Sequence, residues 1–208
     1  MYIYAFGSIC RGEIDLFSDI DMLAILKETD NSTTLDPNKF SIYTEEKIKD
    51  YWISGNPFSW HLFLESSLVY SDNKKDFLKS LGKPKAYTDG IKDMLKFQSI
   101  FFDSLNGLAS NEFTYLFELS TIFLCIRNFA TCYSLHKNQP NFSRNSALSL
   151  GCKSLNINPN VYNILEESRL LATRGYGKIY PKSDIKKIVL ELDKANLWMN
   201  DLLRNENE

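Results

Sequence analysis

Two short apolar runs near the start of the chain, with a polar loop between them, constrain its folding most. Residues 2–6 (YIYAF) stop at Gly7, as a strand does on entering a turn. Residues 20–26 (IDMLAIL) are apolar nearly throughout, which suits a strand near the middle of a sheet rather than at its edge. The run 40–44 (FSIYT) reads as a weaker third strand and residues 68–70 as a short last one. Between these, residues 57–65 read as a helix with Pro57 in its first turn, and residues 30–38 (DNSTTLDPN) as a loop.

The pattern changes after the Gly82-Lys83-Pro84 break. Helical periodicity takes over near residues 86–106, 111–136, 143–154, 159–173 and 182–204, with Asn111 and Ser143 as N-caps. Asn158-Pro159 and Tyr180-Pro181 mark two of the boundaries. The expected layout is an α+β domain over residues 1–83, followed by an all-α helical bundle over residues 84–208.

With 208 residues and 44% hydrophobic content the chain can bury a sizeable core. Its formal net charge of -2 gives no broad basic field, so no extended nucleic acid is expected as a partner. Cys10, Cys125, Cys132 and Cys152 form no CxxC pair and suit neither a zinc site nor a disulfide framework. The first residues, MYIYAFGS, lack the basic region and cleavage site of a signal peptide. The most apolar stretch, 113–130, carries Glu118 and Arg127 and reads as a buried amphipathic helix, not a membrane span. A cytoplasmic protein with reduced thiols is the expectation.

Chemistry concentrates in residues 6–26 (FGSICRGEIDLFSDIDMLAIL). A glycine directly after a strand lets the backbone turn sharply and approach a phosphate closely. The Ser8 hydroxyl and nearby amides can donate to phosphate oxygens, and Arg11 adds a fixed positive charge. Asp19 and Asp21 sit two apart at the mouth of the second strand, where period-two geometry points both carboxylates to one face. Such a pair suits Mg²⁺, which takes one or two carboxylates and fills its shell with substrate phosphates and water. Phosphoryl chemistry needs mainly positioning and charge neutralisation, and a donor loop with paired carboxylates supplies both.

This segment resembles the signature of the polymerase-β-like nucleotidyltransferases, especially their minimal and antibiotic-modifying members. That signature is a Gly-Ser pair, a glycine four residues after the serine, a spacer, then Ser-Asp-x-Asp and an apolar strand; Gly7, Ser8, Gly12, Ser18, Asp19 and Asp21 match it in register, with Arg11 inside the loop. The resemblance covers about the first 80 residues. It implies a mixed sheet of the polymerase-β type, two Mg²⁺ ions held by Asp19 and Asp21, and a nucleoside triphosphate donor cradled by Gly7, Ser8, Arg11 and Ser18. The helical part resembles, more loosely, the bundle that follows this domain in aminoglycoside nucleotidyltransferases and in proteins with a HEPN-like domain. HEPN ribonucleases carry an arginine, four to six residues, then a histidine. Here Arg127 and His136 have eight residues between them, so a ribonuclease reading loses its main residues.

Active family members usually add a third carboxylate from a later strand, whereas residues 40–44 contain none and place Ser41 or Tyr43 there. His61 and Glu65, spaced i and i+4 on the helix 57–65, share a face. Glu65 is therefore the candidate catalytic acid or base, against the plainer reading of a local hydrogen bond that anchors the helix. Glu118 is a second candidate from the helical part. Arg169, Arg174, Tyr176 and Lys178 cluster around RGYGK, either as an anion-binding set or as a solvated loop closing a helix at Gly175.

The expected function is metal-dependent transfer of a nucleoside monophosphate from NTP·Mg²⁺ to an acceptor hydroxyl, with a small-molecule acceptor. The alternatives are a protein- or RNA-modifying transferase of antitoxin type and a degenerate nucleotide-binding module. No membrane partner is expected, and a homodimer is allowed.

Overall fold

The computed structural model describes residues 1–13, 20–27, 30, 35–110 and 114–206, leaving aside the side chains of residues 109–110, 182–184 and 186–187. They form two compact units, Met1–Thr88 and Asp89–Glu208. The architecture is α+β: a four-stranded mixed sheet and, among the described residues, seven α-helices.

In the first unit, β1 (Tyr2–Phe6) pairs antiparallel with β2 (Asp21–Leu26), so that Phe6 faces Asp21. β3 (Ser41–Thr44) runs parallel to β2, and β4 (Ser66–Ser71) antiparallel to β1. The order β3-β2-β1-β4 puts both early apolar runs inside the sheet. β1 alternates, burying Tyr2, Tyr4 and Phe6 on one face, while β2 buries four consecutive residues from Leu23 to Leu26.

Three helices bear on the Tyr4 face. α1 (Glu45–Ser54) contributes Ile48 and Trp52, α2 (Pro57–Glu65) contributes Leu62, and α3 (Phe77–Ser80) contributes Phe77 and Leu78. α2 has the bounds read from the sequence, because Asn56 caps the Phe58 amide at 2.8 Å and Pro57 pre-sets the first turn. α1 has no counterpart in the sequence reading. Its buried stripe is only Ile48 and Trp52, one turn apart, too short to stand out as a period. Its other signals are local: Thr44 caps the Lys47 amide, and Glu45 and Glu46 fall in the first turn, where the helix dipole favours acids. The Tyr4 hydroxyl ties the sheet to α3, donating to Asp76 Oδ1 at 2.9 Å and accepting from the Leu78 amide at 3.0 Å.

The second unit is helical, with α4 (Gly90–Ser110), α5 (Tyr115–His136), α6 (Pro159–Arg174) and α7 (Lys182–Arg204). The apolar stretch around residue 120 forms α5, packed against α4 and α6 and buried along most of its length. Burial pushes the Cys125 thiol up to about 12, and all four cysteines are free thiols. Residues 143–154, expected as a helix capped by Ser143, instead make two separate 3-10 turns, Ser146–Leu148 and Gly151–Lys153. Serine side chains compete for the backbone here: Ser146 Oγ donates to the Arg127 carbonyl, and Ser154 Oγ accepts from the Leu150 amide. Gly151 then leaves the helical region at φ 62. The Asn111 cap lies outside the described residues. No helix among the described residues is long and apolar enough to cross a membrane.

Candidate functional site

Gly7 follows β1 directly and opens a 3-10 turn, Gly7–Arg11. Its φ of 77 lies in the left-handed region, and it has a second reason to be glycine. A Cβ there would stand 3.0 Å from Asp21 Oδ2 and 3.8 Å from both Cε1 and Nε2 of His61. The glycine turn, the first residue of β2 and the middle of α2 thus meet at one end of the sheet. They do so because Phe6 and Asp21 are partners across the ladder, and because His61 packs edge-on against the Phe6 ring, centroids 5.6 Å apart.

The charged groups beside this turn are linked. Arg11 donates through Nε to Glu13 Oε2 at 2.9 Å, brings Nη2 to the same oxygen at 2.8 Å, and pairs through Nη1 with Glu65 Oε2. His61 Nε2 lies 3.0 Å from Glu65 Oε2. The side chains of Arg11, His61 and Glu65 are 18%, 17% and 14% exposed, so Arg11 and Glu65 interact through partly excluded solvent. Burial pushes the Glu65 carboxyl up, but His61 and Arg11 outweigh it and hold the group below its ordinary range. Burial likewise opposes the Arg11 charge, and Glu13 and Glu65 outweigh it in turn.

Asp21 is exposed and borders a cavity of about 500 Å³ lined by residues 20–22 and 37–41. Ser8 is half-buried, and its carbonyl accepts from the Glu13 amide at 3.0 Å. Cys10 is exposed, with Sγ 3.4 Å from the Ala5 carbonyl. Ser18 and Asp19 lie outside the described residues, so the shared face expected for the two aspartates is described for Asp21 alone. Among the described residues no three His, Cys, Asp or Glu side chains converge as a metal site. What those residues offer a cation beside the Gly7 turn is the hard carboxylate of Asp21.

β3 enters the sheet with Ser41 opposite Leu23, two residues past Asp21, so no residue of β3 stands beside Asp21. Tyr43 turns inward, its ring 5.8 Å from Tyr51 and 5.6 Å from Phe58. Glu65 reaches the neighbourhood only as the partner of His61 and Arg11. Glu118, the other candidate acid, lies against Gly107 of α4, where a Cβ would sit 2.7 Å from its Cδ.

Two contributors were not singled out in the sequence. Glu13 binds Arg11 because the 3-10 turn brings them together, a contact no helical spacing announces. Residues 37–40 wall the cavity next to Asp21 through the chain path before β3.

In the helical unit the polar residues anchor structure. Arg127 Nη2 donates to the Phe142 carbonyl at 3.1 Å, and His136 Nε2 lies 3.1 Å from Glu206 Oε2. Arg169 reaches the Ser120 hydroxyl at 3.4 Å, and Gly175 closes α6. Comparison with known proteins finds no family model and no curated sequence that matches this chain.

Proposed function

We propose that the first unit binds a nucleoside triphosphate and transfers its nucleoside monophosphate to an acceptor hydroxyl. The observation that carries this reading is the contact between the Gly7 turn and the Asp21 carboxylate. A backbone that can approach a phosphate and a carboxylate that can share a cation with it stand at one sheet end, beside a cavity of about 500 Å³, within the range of small-molecule sites.

In this reading the amides and hydroxyl at Gly7 and Ser8 bind the polyphosphate, with Arg11 beside them, and Ser18 would add a hydroxyl. Asp19 and Asp21 would hold Mg²⁺, which neutralises charge on the phosphates. The acceptor oxygen forms a bond to the α-phosphorus, the bond from that phosphorus to the bridging oxygen breaks, and pyrophosphate leaves. The hydroxyl proton passes to a base; His61, beside Gly7 and paired with Glu65, is the candidate. The acceptor is a small molecule in this proposal, and transfer to a protein or an RNA end is its alternative.

A second reading, nucleotide binding without turnover, is favoured by the occupied state of Glu65 and by the start of β3 beyond Asp21. Incubation with each labelled NTP, Mg²⁺ and a metabolite extract separates the two. A nucleotidylated product that needs Asp21 supports transfer. NTP binding without product supports the module, and the absence of both rejects the site.

A further inference from the structure

Arg11 belongs to the loop read as a phosphate cradle, yet Nε, Nη1 and Nη2 all face carboxylates. Both acids hold this one guanidinium, so a polyphosphate approaching Arg11 competes with carboxylates for it. The two acids differ in how readily they can leave. Glu13 is 48% exposed and near Arg11 in sequence, free to turn into water. Glu65 is 14% exposed, is held a second time by His61, and is the last residue of α2, with its backbone continuing straight into β4.

That last position matters electrostatically. A carboxylate at a helix C-terminus opposes the helix dipole, and the last turn of α2 carries no basic residue of its own. Arg11, from 54 positions away, supplies the missing cation. A polyphosphate that captured Arg11 would leave Glu65 against the dipole with only the His61 contact beside it, and that cost is subtracted from binding.

We propose that Glu65 is a positioning residue that holds Arg11 away from polyphosphate, and so sets the loop's affinity for the donor by opposing it. The inference rests on the reading of the Gly7–Arg11 turn as a phosphate site. It reverses the sign expected of a third metal ligand or a catalytic base, either of which loses function when the carboxylate is removed.

The test is calorimetric titration of the full chain with pyrophosphate in the presence of EDTA, so that neither metal nor turnover enters. Glu65→Gln binds about tenfold more tightly than the wild type, a difference of 1.4 kcal/mol. Arg11→Gln binds more weakly, and adding Glu65→Gln to it changes nothing further, because the two substitutions act through one contact. Thermal melting checks folding. Should Glu65→Gln not fold, Glu65→Asp keeps the charge but shortens its reach, and it too binds more tightly. Affinity that is unchanged or reduced in these variants overturns the proposal, as does a gain that persists without Arg11, or no pyrophosphate binding in any form. Failure of the transferase reading shows separately, as absent metal-dependent turnover while the affinity changes remain.

Discussion

The two units use their ionisable side chains differently. In the helical unit Arg127 secures the Phe142 carbonyl, His136 meets Glu206, and Arg144 pairs with Glu166 at 2.9 Å; each fastens one segment to another. Arg127 and His136 also lie about 13 Å apart along α5, at a rise of about 1.5 Å per residue, and serve separate contacts. At the Gly7 end of the sheet, four charged or titratable groups crowd one turn beside an exposed Asp21 and an open cavity. Anchoring needs only a contact that ties one segment to another. A binding site tolerates crowding because a ligand or cation can redistribute it.

The sharpest way to break this contrast is the pair Asp19→Asn with Asp21→Asn. If the first unit is the transferase we propose, cation-assisted charge stabilisation is worth several kcal/mol in the transition state, and turnover falls by about a thousandfold or more. Pyrophosphate release measures the loss, and an unaltered melting curve accompanies it. A double variant that unfolds would make these residues anchors like those of the helical unit.

Tyr4→Phe probes the opposite expectation within the same sheet. It removes the hydroxyl that Asp76 and the Leu78 amide share, at a side chain only 1% exposed. Denaturant titration should show a stability loss of about 1–3 kcal/mol, with pyrophosphate affinity unchanged. A change in affinity would mean that the core of the sheet and the turn are not separable.

Ser8→Ala sharpens the site itself. Loss of a hydrogen bond to a charged group weakens NTP binding by about 1–2 kcal/mol, read by calorimetry. Identical affinities would remove Ser8 from the donor set.

The smallest effect concerns acid. Glu65 has a folded pKa below its ordinary value of about 4.3, so the unfolded chain binds the proton more readily. The stability it contributes is therefore fully present above that ordinary value and is lost as pH falls through the depressed folded one. The melting-temperature gap between wild type and Glu65→Gln should close over that window. A gap independent of pH would show that the contacts of Glu65 with His61 and Arg11 contribute nothing to folding.

Much of this organisation is set by neighbours in sequence. Asn56-Pro57 and Asn158-Pro159 begin α2 and α6 where they were read, because a side-chain cap and a preformed φ act within one turn. The apolar runs before Gly7 and after residue 20 became the two inner strands for a similar reason: burial on one face or both is written into the spacing of apolar residues. Where the sequence reading went astray, nonlocal contacts decided. Residues 143–154 had helical periodicity, but their serines found partners on α5 and within the turn itself.

For the site, the chain alone determined which groups exist at the Gly7 turn and at the mouth of β2, and that His61 and Glu65 share one helix face. Only the tertiary structure brought His61 against Gly7 and Asp21, set β3 too far along the sheet to stand beside Asp21, and joined Arg11 to Glu65 across 54 positions. Strand register and helix docking place those atoms, and both follow from packing of the shared core, in which no single stretch of sequence holds the necessary partners.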